Sequence, residues 1–332
     1  ARLALAGTGS IAASSQVNLA GVLAVFDIAA AAGGRTIQGL TGQAGSVVAL
    51  GANSLTVGSS SSTTFAGSIA GTGALIKQGA GTLTLTGANA VAGTTVNGGL
   101  LVVNGSLTGG VTVTAGGAIG GTGSISGPFV SNGGMLAPGN SIGTLNVNGS
   151  FVQNGTTYAV EVNAGGQSDL INVSGAPGTA TINGGTVQVL AQPGSYRQTT
   201  TYTILTATGG VSGSYSGVSS NLAFLTPSLS YGANNVLLTL TRSPNAFASG
   251  AQTPNQLAVA TVLDLVAPMA TGDFADAHAA MIGLTTGQGP AALDAVSGQP
   301  YTGFGTTNIA AGLAFLNTVG RQAADARAGA AH

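Results

Sequence analysis

Cysteine and tryptophan are absent from this chain of 332 residues. Without cysteine there is no disulfide, no zinc–thiolate site and no cysteine nucleophile. Charge is scarce: Lys, Arg, Asp and Glu together make up 5% of the residues, against roughly 25% in an ordinary soluble domain. Seven basic residues and a net charge of -1 leave no cationic stripe to neutralise phosphates, which argues against a nucleic-acid partner. Between Lys77 and Glu161 no residue carries a charge at all. Even so, there is no run of about 20 apolar residues of the kind a spanning helix needs. Apolar residues alternate instead with Thr, Ser, Asn and Gly. The 57 glycines keep no three-residue period, so this is not a collagen. A hydrophobic share of 44% argues against a disordered chain. The sequence opens at Ala1 with no Met and no charged segment leading into an apolar run. That is expected of a processed or internal stretch of a longer protein.

What is present is a set of degenerate repeats. GTGSI occurs at 7–11 and 121–125, NGG at 97–99, 132–134 and 183–185, VNGS at 103–106 and 147–150, and GTL at 81–83 and 143–145. Turn signals recur at similar but unequal intervals, with period-two segments between them. Leu83 and Leu85 alternate with threonines, as do Val111 and Val113, while Leu145 and Val147 alternate with asparagines. Val187 with Val189, and Leu237 with Leu238, add further strand signals. Alternation means one buried and one wet face. Such short, glycine-punctuated strands cannot fold singly, but stacked coils share a core and a ladder. Residues 1–242 are therefore expected to form a β-solenoid almost free of helix. A β-sandwich is the competing architecture, and it needs about half this length.

The texture changes after Arg242. Alanine becomes dense, and five of the eight acidic residues lie beyond residue 245. Thr253-Pro254-Asn255-Gln256 reads as a capping box with proline at the first helical position. The stripe Val259, Val262, Leu263, Val266 predicts a helix that Pro268 ends. A second helix is expected from Asp273, with Phe274, Ala277, Met281 and Ile282 on one side. A third is expected from Pro290 to Gly298. A fourth is expected over 307–327, striped by Ile309, Leu313 and Leu316.

The segment GTGALIKQGAGTLTLTGANAVAGTTVNGGLLVVNG at 71–105 resembles the passenger-associated repeat of bacterial autotransporters, down to Lys77, the GTLTLTG core and the closing NGG. MLAPGNSIGTLNVNG at 135–149 resembles a turn near the end of such passengers. The stretches at 158–175 and 202–215 resemble the autochaperone region, and TPNQLAVATVLD at 253–264 with ALDAVSG at 292–298 resembles the linker before the barrel. This resemblance, pertactin-like in kind, implies an all-β fold: a right-handed parallel β-helix followed by a short α-helical linker. It implies repeats over 1–157, a cap or autochaperone region over 158–242, and a linker over 243–332. The implied partner is the protein's own outer-membrane β-barrel, with a surface glycan or protein as a further partner. The implied place is the cell surface of a Gram-negative bacterium. Absence of cysteine and small, uncharged side chains suit passage through a narrow pore as an extended strand.

Several residues invite a chemical reading. Gly139-Asn140-Ser141-Ile142-Gly143 matches the G-x-S-x-G nucleophile elbow, and Asp169 and His278 follow in the hydrolase order. An elbow joins a strand to a helix, whereas both flanks here read as strands, so a β-helix turn is the better reading of Ser141. Asp169 fits a turn cap that binds backbone N–H groups. Glu161 and Asp169 are the pair a polysaccharide-cleaving enzyme would use if they met, and before Glu161 the chain has one acid, Asp27. His278 beside Asp276 has no second metal ligand in reach, and it reads as a solvated or partly packed histidine. His332 reads as part of the terminus. Thr84 with Thr86 and Thr112 with Thr114 read as the wet faces of strands. The sequence therefore assigns no catalytic, cofactor-binding or metal residue and calls for no cofactor. The expected role is a non-enzymatic, surface-exposed passenger stalk that supports its own translocation and serves adhesion. A carbohydrate-active β-helix enzyme and a stalk for an upstream effector are the alternatives.

Overall fold

Alternating side chains with small residues at the turns produce a coil of three short strands, repeated. The computed structural model describes residues 1–298 and 302–327. These divide into two units: Ala1–Asn221 with Leu225–Thr241, and Leu222–Phe224 with the chain from Arg242 onward.

The first unit is a parallel β-helix. Each turn contributes one strand to each of three ladders. In the first ladder Val25–Asp27 pairs with Val47–Gly51, and that strand pairs with Ser68–Gly71. In the second, Arg35–Ile37 pairs with Leu55–Val57, and that strand pairs with Ala74–Lys77. In the third, Thr63–Phe65, Thr82–Leu85, Gly99–Val103 and Gly117–Gly121 follow in parallel register. No α-helix occurs before Ala246. The expected inward set is buried: Leu83, Leu85, Val111, Val113, Leu145, Val147, Val187, Val189 and Leu238. Parallel register places like upon like. Leu101, Ile119, Leu136, Tyr158 and Val187 form one continuous inner row, and Phe129 meets Phe151 edge to face at 5.3 Å. Each buried Val or Leu contributes about 1.5–3 kcal/mol, and the gain is realised only when the coils above and below are in place.

Polar residues also stand inside these rows, Asn89 and Lys77 among them. Asn89 lies between Ile69 and Leu107 in register and is 1% exposed. Its Oδ1 accepts from the Ile69 N–H at 3.1 Å, and its Nδ2 donates to the carbonyls of Gly87 and Ser106. Lys77 sits between Val57 and Val96 and is also 1% exposed. Its ammonium donates to the carbonyls of Gln78 at 2.7 Å, Gly79 at 2.9 Å and Gly98 at 3.1 Å. Burial lowers its basicity. Both side chains tie one coil's backbone to the next, as buried polar groups must.

The coils widen towards the C-terminal end. Hydrogen-bonded neighbours are 18 residues apart at Val96 and Thr114, 26 apart at Asn146 and Asn172, and 34 apart at Asn172 and Thr206. The wider interior takes tyrosines, none of which precedes Tyr158. Tyr158 donates to the Ile204 carbonyl at 2.6 Å, Tyr196 to Gln192 at 2.8 Å and Tyr202 to Asn163 at 2.8 Å. The parallel ladder ends on a hairpin: Asn235–Thr241 runs antiparallel to Thr199–Ala207, and Thr226–Tyr231 runs antiparallel to Asn235–Thr241.

The second unit is helical: α1 (Ala246–Ser249), α2 (Pro254–Val266), α3 (Gly272–Ile282), α4 (Gly289–Val296) and α5 (Thr302–Arg327). The capping box forms, with Thr253 accepting from the Gln256 N–H and the Gln256 side chain reaching back to the Thr253 N–H. Two of the expected faces are corrected. On α2 the buried residues are Gln256, Ala260 and Leu263, while Val262 is 56% exposed. On α3 they are His278 and Ile282, while Phe274 is 43% exposed. Leu263 and Ile282 are buried as expected, and Ala260 and His278 join them where Val262 and Phe274 had been expected. On α5, Ile309, Leu313 and Leu316 are exposed. No described helix is long and apolar enough to cross a membrane. His332 lies outside the described residues.

Stacking also explains a column of glycines. A Cβ on Gly87, Gly105 or Gly123 would collide with the carbonyl oxygen of the glycine one coil earlier: Gly67, Gly87 and Gly105 respectively. Nothing lies within 4 Å of a Cβ on Gly217. Gly105→Ala should therefore lower the unfolding free energy by about 1–3 kcal/mol, and Gly217→Ala should leave it unchanged within about 0.5 kcal/mol. Urea denaturation of the two variants checks this.

Candidate functional site: a groove on the third sheet

The outer face of the third sheet carries small residues where the coils reach 99–162. Val102 pairs with Gly120, and Gly120 pairs with Ala137. After Met135–Pro138 the chain leaves the sheet in the turn 139–143 before entering Thr144–Asn148. This turn, with Leu100, Val102, Ala159 and Leu190, encloses a groove of about 310 Å³. Asn140, Ser141, Glu161 and Asp169 supply its polar lining.

Asp169 organises the site. It is 1% exposed. Its Oδ1 accepts from the Gly143 N–H at 2.9 Å and its Oδ2 from the Glu161 N–H at 2.8 Å. The carboxylate thus clips the turn to the neighbouring strand, in agreement with the turn-cap reading. Burial raises its pKa to about 7, the two N–H bonds pull it down, and the Glu161 charge pushes it up. Glu161 and Asp169 do come together. Each Asp169 oxygen accepts one backbone N–H, so its carboxylate has a structural part in holding the turn.

Ser141 stands exposed in a strand–turn–strand setting, which is not the strand-to-helix geometry of a nucleophile elbow. Its Oγ accepts from Gln192 Nε2 at 3.3 Å, an amide that cannot take its proton. His278 belongs to the helical unit, whereas Ser141 and Asp169 belong to the β-helix. His278 is 6% exposed and packed, more enclosed than its sequence reading allowed. Among the described residues no group of three or more His, Cys, Asp and Glu side chains could hold a metal ion. Outward threonines form no continuous hydroxyl row either: Thr95 and Thr112 are followed in register by Val130 and Val152.

Two features escaped the sequence reading. One is the burial of Lys77, although its shared parity with Leu75 in the strand Ala74–Lys77 signalled an inward side chain. The other is the ion pair between Arg242 and Asp264, 2.6 Å apart with both side chains 6% exposed, for which no local pattern gave a sign.

The fold defines the class: a parallel β-helical solenoid with a small groove lined by Asn140, Ser141, Glu161 and Asp169. Comparison with known proteins adds the type. Residues 75–103 match the passenger-associated-transport-repeat family, and these residues hold Lys77 and two strands of the third ladder. The chain is also similar to an extracellular serine protease of Serratia marcescens, at 34% identity over 207 residues. That match covers 59% of this chain and 19% of the relative, so the chain spans about a fifth of the relative's length. Repeat and relative together support an autotransporter passenger, and both point to export to the cell surface or the extracellular space.

Removing the clip exposes two buried donors, each costing about 1–3 kcal/mol when left unpaired. In Asp169→Ala, hydrogen exchange at the Gly143 and Glu161 amides should therefore accelerate at least about tenfold, while the Leu83 and Leu85 amides keep their protection. Residue-resolved exchange by NMR or mass spectrometry checks this.

Proposed function

We propose that this segment is the stalk of an autotransporter passenger. It forms a non-catalytic, surface-exposed solenoid that supports its own passage across the outer membrane of a Gram-negative bacterium and presents a contact surface for adhesion. The observation that carries the reading is the uninterrupted parallel ladder containing the passenger-associated repeat at 75–103. Each coil in it buries its apolar row only against the coil beside it. Chain emerging from a pore can therefore add coil by coil, each addition making retreat less favourable. The closing hairpin and the tyrosine-filled coils give the C-terminal end the densest set of long-range side-chain bonds, which suits the part that folds first. The partner in transport is the protein's own outer-membrane β-barrel. The partner in adhesion is a surface glycan or protein. Against catalysis stand the Gln192 partner of Ser141 and the doubly bonded Asp169. A second reading, a stalk for a catalytic module elsewhere in a longer protein, is favoured by one observation: the relative is an extracellular serine protease matched over 19% of its length.

In the intact protein, deletion of 158–240 should reduce passenger exposed on whole cells several-fold while the barrel stays inserted. Protease shaving of intact cells with immunoblotting of both parts checks this, and unchanged display contradicts the role in transport. Ser141→Ala should leave any ester- or peptide-hydrolysing activity of the chain unchanged, and its loss would return the G-x-S-x-G match to consideration.

A further inference from the structure

The helical unit contains a buried histidine whose surroundings have no place for a second positive charge. His278 lies on α3, 6% exposed. Its ring meets Phe247 of α1 edge to face, 5.0 Å between centroids at 89°, and lies 6.3 Å from Phe274. Its Nε2 is buried and has no hydrogen-bond partner.

The same Phe247 ring carries a cation already. The Arg242 guanidinium carbon lies 5.0 Å from its centre. Arg242 pairs through Nη2 with Asp264, the one charged residue of α2, while its buried Nε has no hydrogen-bond partner. Asp264 also accepts the N–H groups of Phe247 at 3.2 Å and Ala248 at 2.9 Å, and so caps α1. Its charge is thus shared with Arg242 and three of its roughly four acceptor positions are taken before any proton reaches His278. α1 contributes no charged residue, and the acids of α3 itself, Asp273 and Asp276, are exposed.

We propose that His278 is an acid-operated latch of the helical unit: as the neutral imidazole it packs α3 against α1 and α2, and on protonation it is left beside Arg242 without a counter-ion and α3 lets go. Burial and then the Arg242 charge lower the proton affinity of His278, against a hydrogen bond to the Leu263 backbone and the Asp264 charge. The sign follows. A freed histidine takes up its proton near 6.5, above the packed one, so the latch is closed at pH 7 and above. It weakens as pH falls below 6.5, by up to about tenfold per pH unit until the packed imidazole itself titrates. The inference does not depend on the passenger reading, since it concerns the helical unit alone.

The test uses the whole chain. Hydrogen exchange by mass spectrometry at pH 7.5 and pH 5.0, corrected for the intrinsic exchange rate, should show α1 and α3 losing protection at least about fivefold in acid. Ladder peptides such as 82–103 should not change. His278→Phe keeps an aromatic ring and removes the proton, and it should abolish the acid loss in α1 and α3. NMR titration of the His278 imidazole in the unaltered chain gives an independent reading, expected below 6.5. Acid loosening that persists in His278→Phe overturns the proposal, as does an imidazole that titrates at or above 6.5. If His278→Phe does not fold, the titration decides alone.

Discussion

Everything in the β-helical unit depends on parallel backbone pairing between coils that places each inward side chain on its counterpart one turn away. This constraint accounts for features that otherwise look unrelated. It puts Leu upon Ile upon Leu in the third ladder and Phe129 upon Phe151 in the second. It demands glycine at 87, 105 and 123, where coil backbones come too close for a Cβ. It also decides what a polar residue inside the stack must do. Asn89 and Lys77 each interrupt an apolar row, and each spends its polar atoms on the backbone of its own and the adjoining coil. A charge that looks out of place in a core thus acts as a cross-tie, with three carbonyls standing where water would be.

The same ladder has to end somewhere. Its free edge would accept any strand, including one from another chain. Here the coils widen from 18 to 34 residues per step, tyrosines fill the wider interior, and an antiparallel hairpin takes the place of the next parallel strand. The groove beneath the turn 139–143 arises from this widening, because longer excursions between strands leave chain that folds back over the sheet. Asp169 holds that chain down with two backbone bonds. The groove is in this sense a by-product of coil growth, clipped by a buried carboxylate.

Much of the β-helix was readable in the sequence because period-two alternation reports directly on facing: Leu83, Leu85, Val111 and Val113 turned inward as their spacing required. The turn role of Asp169 was readable too, since aspartate in a Gly- and Ser-rich stretch binds nearby backbone N–H groups. What failed did so for identifiable reasons. The burial of Lys77 was not drawn from the sequence, although its parity with Leu75 carried it. On α2 and α3 the expected Leu263 and Ile282 are buried, but the packing also takes Gln256, Ala260 and His278 in place of Val262 and Phe274. The Arg242–Asp264 pair and its shared ring, Phe247, join residues from three separate segments, and no local pattern announces such a meeting.

Distance along the β-helical unit is counted in coils and not in residues. Outward Thr56 and Thr181 are separated by six ladder steps, through Ile76, Thr95, Thr112, Val130 and Val152. At about 4.8 Å per step the two backbones should stand about 29 Å apart. Spin labels at Thr56→Cys and Thr181→Cys, read by double electron–electron resonance, measure this directly. A single narrow distribution centred within a label's reach of about 29 Å is the predicted result. A broad distribution, or a centre displaced by more than two ladder steps, would contradict the stacked parallel coil.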